Sequence, residues 1–362
     1  MTSIWDPIRI GNMNLKHRFA MAPMTRSRDK PDGTPSDLAA EYFSQRAALG
    51  LLITGGAQPS DDGQGYLNTP GIYTEAHVAG WRRVTDAVHA KGGHLVIQLM
   101  HVGRVSHPDN TPHHRQPVAP SAIASGQKMF TGNGLLDMPQ PRALSTTEVN
   151  ETVRDFVHAA RQAIAAGADG VEIHAANGYL IQQFFAPNAN VRNDRYGGGI
   201  ENRARFAVEV AGAVADAVGP ERTGIRISPG STLGGIEEGP DGPVLYRHLV
   251  PELAKLDLAY LHISQGKDEK LLASIRQLWP NALLVARGNR PLPAVAADIE
   301  SGTADIAPVG RWALSNPDFV ERYRLGAPLN KLDPTTLYGG GAEGYIDYPT
   351  LAERAETASF AA

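Results

Sequence analysis

The sequence predicts an α/β fold of the (β/α)₈ barrel type, built as a single domain over residues 1–362. Two observations carry this. Short apolar, β-rich runs alternate with helical patterns along most of the chain, which is the order of a parallel sheet rather than a sandwich. Eight such runs occur, at 18–23, 50–54, 95–100, 170–174, 224–228, 260–263, 283–286 and 305–309, and eight suit closure into a barrel. A doubly wound open sheet shows the same alternation, but the first run lacks the Gly-x-Gly-x-x-Gly that such sheets use for a dinucleotide.

Residues 1–17, with a turn at Gly11-Asn12, read as an N-terminal hairpin that caps the barrel bottom. Several of the runs are apolar at nearly every position, as strands covered on both faces must be. A helix is expected near 79–90, stopped by Gly92-Gly93. The clearest helix spans 147–166, where Val149, Val153, Phe156, Val157, Ala160 and Ile164 recur at helical spacing. Ser145 and Glu148 form its capping box and Gly167 its end. A third helix, 201–218, is stopped by Gly219-Pro220. A barrel needs about 250 residues, and the surplus falls mainly in two places. Residues 101–144, rich in Pro, Gly, His and Asn, form a lid-like excursion after the third strand, too long for an idle connection. Residues 328–362 form a tail with a glycine run at 339–341, read as a flexible stretch able to fold over the site.

Composition narrows the partners. A formal charge of −4 with mixed signs offers no basic face for nucleic acid and no polybasic stretch for a membrane surface. With no cysteine, thiolate nucleophiles, disulfides and iron–sulfur clusters are excluded, and no metal centre is expected. No segment has the apolar length of a signal peptide core or a membrane helix, so a cytoplasmic monomer or small homo-oligomer is expected.

Barrel chemistry gathers where strands end. Those ends read Thr25, Gly56, Gln98, His174, Arg226, His262, Gly288 and Gly310-Arg311, a polar, positive, glycine-rich ring. His174 ends a strand and Asn177 follows three residues on, so one turn of backbone aims both at a point. Such a pair of donors suits an oxygen that gains charge during reaction. Tyr179 adds a phenol able to give a proton. A lone histidine reads equally well as a core hydrogen-bonding group, and Tyr179 as packing; their combination at a strand end favours the site. Gly288 and Gly310-Arg311 lie after the last two strands, a recurrent phosphate position in barrels, although a turn glycine beside a solvated arginine reads the same way. Gln98 can both donate and accept, and Arg226 supplies fixed charge, as a flavin ring edge requires; either alone reads as a buried hydrogen-bonding residue. A phosphosugar lyase or isomerase using His174 or Glu172 as base, and a non-catalytic flavin sensor, are the competing readings.

The segments Arg18-Phe-Ala-Met-Ala-Pro-Met-Thr25-Arg-Ser-Arg28, Thr69-Pro-Gly-Ile-Tyr73, Gln98-Leu-Met-His-Val-Gly-Arg104, His174-Ala-Ala-Asn-Gly-Tyr-Leu180, Asn193-Asp-Arg-Tyr-Gly-Gly198, Glu201-Asn-Arg-Ala-Arg-Phe206, Gly224-Ile-Arg-Ile-Ser-Pro229 and Tyr338-Gly-Gly-Gly-Ala-Glu-Gly-Tyr345 occur in this order. Through them the chain resembles the old yellow enzyme family of FMN-dependent oxidoreductases over essentially its whole length. The resemblance implies tightly bound, non-covalent FMN held by Pro23, Met24, Thr25, Gly56, Gln98, Arg226, Gly288, Asn289, Gly310 and Arg311. It implies a substrate pocket of Tyr66, Met100 and Tyr338. It also implies ping-pong turnover: NAD(P)H reduces FMN, then hydride passes from flavin N5 to Cβ of an activated alkene (enone, enal, maleimide or nitroalkene). His174 and Asn177 would bind the oxygen and Tyr179 would protonate Cα. Three departures stand out. Met100 occupies a position where the family often has Trp, Asn177 one where His is the other common choice, and Arg287, Arg290 and Arg311 all compete for the phosphate.

Overall fold

The structure, a computed structural model, describes residues 2–288 and 290–360. Eight parallel strands form one sheet: β1 (Phe19–Met21), β2 (Leu51–Ile53), β3 (His94–Leu99), β4 (Gly170–Ala175), β5 (Thr223–Ile227), β6 (Tyr260–Gln265), β7 (Ala282–Arg287) and β8 (Ala307–Val309). Each pairs with its neighbour in chain order, and β8 pairs with β1 through Ala307↔Phe19 and Val309↔Met21. The seam between β7 and β8 is a single bridge, Leu284↔Ile306, helped by Asp305 N donating to Leu283 O at 2.8 Å. The sheet is therefore a barrel of the expected kind.

The helices that follow the strands include α1 (Asp37–Gln45), α2 (Glu75–His89), α3 (Thr146–Ala165), α4 (Ile200–Val218), α5 (Gly242–Ala254), α6 (Glu269–Leu278), α7 (Ala297–Glu300) and α8 (Phe319–Leu325), with the short helices Leu180–Phe185 and Arg311–Ser315 preceding α4 and α8. The capping box of α3 forms in full, with Ser145 accepting from Glu148 N and Glu148 accepting from Ser145 N. Its buried face is Val149, Thr152, Phe156, Ala159, Ala160 and Ala163, so Val153, Val157 and Ile164 flank the core rather than fill it. Alanines let the helix approach the sheet closely, and the larger residues seal its edges. Helix α2 begins a turn earlier than its apolar pattern, because Thr74 caps it by accepting from His77 N.

Ile8–Ile10 and Met13–Leu15 pair antiparallel across Gly11-Asn12. Their Ile10, Met13 and Leu15 pack with Ala20, Leu51, Ile53, Val96, Tyr260, Leu284 and Ile306 inside the lower barrel, closing it with an apolar plug. The long excursion after β3 has its own architecture. Lys128–Thr131 and Gly134–Asp137 form a hairpin, and Val118–Ala119 pairs with Arg142–Ala143. Met129 and Met138 pack against Met100, Val102 and Val105, leaving Phe130 and Leu135 exposed on the outer side.

The tail departs from the flexible stretch its glycines suggest. Arg26 donates to Leu337 O and Gly344 O, and Arg28 to Thr336 O and Glu343 O, at 2.8–3.1 Å. Tyr345 stacks on Tyr42 with ring centres 4.1 Å apart. Fully buried Arg46 donates to Ala313 O, Leu314 O and Tyr345 O. Among the described residues no helix is long and apolar enough to cross a membrane.

Candidate active site

Alternation along β4 sets the chemistry. Val171, Ile173 and Ala175 face the helices, while Glu172 and His174 face the barrel interior. In register with them lie Gln98 on β3, Arg226 on β5 and His262 on β6. A floor of apolar plug, a polar middle layer and an open mouth follow in that order.

At the mouth the chain leaves β4 through Ala176 and turns sharply. Asn177 adopts φ +57°, a left-handed angle that asparagine tolerates, and Gly178 follows at φ +81°. A Cβ on Gly178 would fall 2.0 Å from Leu233 O, so only glycine fits there. The turn is held from below. Asn177 N donates to Ser228 Oγ at 2.7 Å, Ser228 Oγ donates to Gln182 Oε1, and Gly178 N donates to the same oxygen.

This turn brings three predicted residues together. His174 Nδ1 accepts from Ala176 N at 3.3 Å, which leaves the ring proton on Nε2. Asn177 Nδ2 lies 3.5 Å from that nitrogen. Two donors therefore converge on one point with nothing to accept from either. Burial, then the charge of Arg226 and the proximity of His262, hold the His174 ring well below its ordinary pKa. The ring is a neutral donor. Tyr179 stands edge-on to it, ring centres 5.0 Å apart. Its hydroxyl lies 3.0 Å from that of Tyr66, and burial followed by Tyr66 pushes it well above an ordinary phenol. Tyr179 therefore keeps its proton until a strong base arrives.

Tyr66, Tyr179 and Met100 share one apolar cluster, placing two of the predicted pocket residues beside the clamp. Tyr338 sits 69% exposed on the tail. Gly56 backs onto Met100, where a Cβ would meet Sδ at 2.4 Å, and a Cβ on Gly55 would fall 2.6 Å from Met24 O, so glycine there leaves room for the Met24-Thr25 backbone. Pro23, Met24 and Thr25 are half-buried just after β1, and the Thr25 hydroxyl makes no hydrogen bond among the described residues.

Gln98 is not a free amide: its Nε2 donates to Glu172 Oε1 at 2.7 Å, leaving the amide oxygen uncommitted. Glu172 also accepts from His262 Nδ1 at 2.9 Å. A fully buried carboxylate held this way is a poor general base, which removes Glu172 as the base of the lyase reading. Among the described residues the Arg226 guanidinium makes no hydrogen bond, and its Nε is buried without a partner.

The last two strands separate the three arginines. Arg287 pairs with Asp298 at 2.7 Å and with Glu269, and Arg290 also pairs with Asp298 at 2.7 Å. Both arginines are neutralised by carboxylates, whereas Arg311 makes no ion pair among the described residues. Gly288 has open space where a side chain would stand, and Gly310 meets only Met24 Sδ at 3.5 Å. Asn289 lies outside the described residues. An unspent guanidinium, a free threonine hydroxyl and two open glycines beside an unpaired arginine fit a cofactor with a polar ring edge and a phosphate. Fold and site together define a barrel oxidoreductase that borrows its redox chemistry from a bound phosphorylated cofactor.

Comparison with known proteins names that cofactor. Residues 3–330 match the NADH:flavin oxidoreductase / NADH oxidase family, and the chain belongs to it. It is 41% identical to a probable flavin mononucleotide-dependent alkene reductase of Leishmania infantum, covering 95% of this chain and 96% of that one. It is 39% identical to 12-oxophytodienoate reductase 2 of Arabidopsis thaliana, covering 96% of each. Morphinone reductase in complex with tetrahydroNAD superposes with a TM-score of 0.92 at 43% identity, covering 97% of this chain and 98% of that one. This is accordingly an old yellow enzyme, an NAD(P)H-dependent ene-reductase that carries FMN.

Sequence reasoning named Glu172 only as an alternative base and Tyr66 only as a pocket residue, and left Ser228 without a role; it missed what each of them holds. Glu172 lies two residues before His174 on a strand and so shares its face, a signal available from spacing alone. The Tyr66–Tyr179 contact joins residues 113 apart, and Ser228 reaches Asn177 from another strand end. Neither has a local signature.

Proposed function

We propose that this chain reduces C=C bonds conjugated to a carbonyl or nitro group, taking electrons from NAD(P)H in a ping-pong cycle. When bound, FMN supplies the hydride. The chain's own residues bind the oxygen, aim the alkene and deliver the proton. His174 Nε2–H and the Asn177 amide donate to the substrate oxygen, and as uncharged, prealigned donors they stabilise charge arriving there without reorganising. Tyr179 gives its proton to Cα, and Tyr66 accepts from or donates to the phenol as it changes charge. Thr25, Gln98 and Arg226 hold the flavin ring, with Pro23, Met24 and Gly56 shaping its wall. Gly288, Gly310 and Arg311 hold its phosphate. Tyr66, Met100 and Tyr338 line the substrate pocket under the 101–144 excursion, with the thioether of Met100 adapting to varied shapes.

The observation that carries this reading is the convergence of two donors beside a buried, protonated phenol. Mixing the NADPH-reduced protein with cyclohexenone under anaerobic conditions should return the flavin to its oxidised spectrum. A flavin that stays bleached would exclude alkene reduction. Tyr179→Phe should slow that step about 10²–10⁴-fold, the usual worth of a positioned acid, while flavin reduction by NADPH proceeds as before. Equal loss in both half-reactions would remove Tyr179 from the proton step.

A further inference from the structure

Three strands meet at one carboxylate that the reaction as described does not use. Glu172 Oε1 accepts from Gln98 on β3 and Oε2 from His262 on β6, and all three side chains are buried. The register places Gly224 of β5 beside Glu172, and Tyr260 of β6 beside Gly224. A Cβ on Gly224 would fall 2.3 Å from the Tyr260 ring, so that glycine gives the ring its room across the strand. Arg226 Nε and His262 Nε2 lie in this layer without a hydrogen-bond partner among the described residues, and the Tyr260 hydroxyl is held well above an ordinary phenol by burial and then by Glu172. Burial pushes the Glu172 carboxyl up, but His262, Arg226 and Gln98 outweigh it and keep it ionised. His262 is kept neutral by its burial. The layer thus contains one negative and one positive group, Glu172 and Arg226.

We propose that Glu172 is a positioning residue for the flavin, acting through Gln98 and Arg226 in two ways. It captures the Gln98 amide by its nitrogen, so the amide oxygen is turned away as a fixed acceptor for the ring edge. It also supplies the counter-charge of Arg226, so the pocket opposes the negative charge that a flavin gains on reduction. A reduced flavin held against that opposition is the stronger hydride donor. The proposal rests on the assignment of Gln98 and Arg226 to the ring.

The test is a redox titration of the FMN-loaded enzyme with a reference dye, together with FMN affinity. Glu172→Gln should shift the midpoint potential upward and alter the flavin absorption spectrum. Glu172→Asp keeps the charge but falls short of Gln98, so it should hold the potential near wild type and weaken FMN binding. Arg226→Met should shift the potential downward. A Glu172→Gln holoenzyme that only melts earlier, at wild-type potential, while Arg226→Met shifts it, overturns the proposal. If Arg226→Met changes neither potential nor affinity, the ring assignment itself fails and the proposal with it. Should Glu172→Gln give no folded holoenzyme, Glu172→Asp decides: FMN affinity equal to wild type overturns the orienting role.

Discussion

A histidine kept neutral makes a dependable donor to an oxygen: burial, then the charge of Arg226, keeps His174 uncharged, and a single backbone N–H at Nδ1 decides which nitrogen carries the proton. Charge bookkeeping at other single residues is as decisive. Arg287 and Arg290 sit within reach of the same loop as Arg311, but Asp298 and Glu269 already neutralise them. Arg311→Ala should therefore weaken FMN binding by about one to two orders of magnitude, the worth of a charge-assisted phosphate contact. Arg287→Ala should leave affinity nearly unchanged and lower stability instead. Fluorescence titration of the apoprotein with FMN measures both, and the reverse ranking would move the phosphate toward β7. Sequence alone could not rank these arginines, because their carboxylate partners lie 11 and 18 residues from Arg287 with no motif to mark them. His174, Asn177 and Tyr179 were legible because one short turn carries them all, and a local turn is what sequence encodes most directly.

Elements differ in how plainly they announce themselves. Strands β4 and β5 and helices α3 and α4 were legible from apolar periodicity, caps and glycine stops, whose causes lie within a few residues. The hairpin inside the 101–144 excursion and the docked tail were not, since both are held by contacts from elsewhere in the chain. Tail order comes from arginines on the first βα unit: Arg26, Arg28 and Arg46 donate to carbonyls more than 260 residues away. Glycines at 339–341 say only what the backbone is free to do. Arg46→Ala would strand several buried carbonyls at once, each costing roughly 1–3 kcal/mol. We expect a loss of about 3 kcal/mol or more in thermal or urea unfolding, together with weaker FMN retention, since Arg46 braces Ala313 and Leu314 just after Arg311. Full stability in Arg46→Ala would show that the tail docks by packing of Tyr345 on Tyr42 instead.

The molecule as a whole buries histidines in neutral form. His17, His77, His101, His174 and His262 all have pKa values depressed chiefly by burial, His101 to about 4. Unfolded, each takes up a proton near pH 6.5, so the unfolded state binds more protons and folding weakens as pH falls; the loss runs from about 6.5 down to about 4 for His101. Asp29, raised to about 7 by burial, and Asp155, raised to about 6, pull the other way, as does His94 held up by Asp169. Five against three leaves acid destabilisation the larger effect. The melting temperature should fall between pH 7.5 and 5, and a flat or rising profile would mean that Asp29, Asp155 and His94 outweigh the buried neutral rings. The seam where β8 meets β1 has a further bearing, on how the protein is made. Thr25 leaves the ribosome long before Arg311, and the walls they stand on join where Phe19–Met21 pairs with Ala307–Val309. A chain halted before residue 307 lacks β8 and Arg311, and so the wall that closes the barrel against β1. We expect FMN to load only onto chains that extend past Arg311, so yellow colour in a translation reaction should report chains that carry β8 rather than shorter ones.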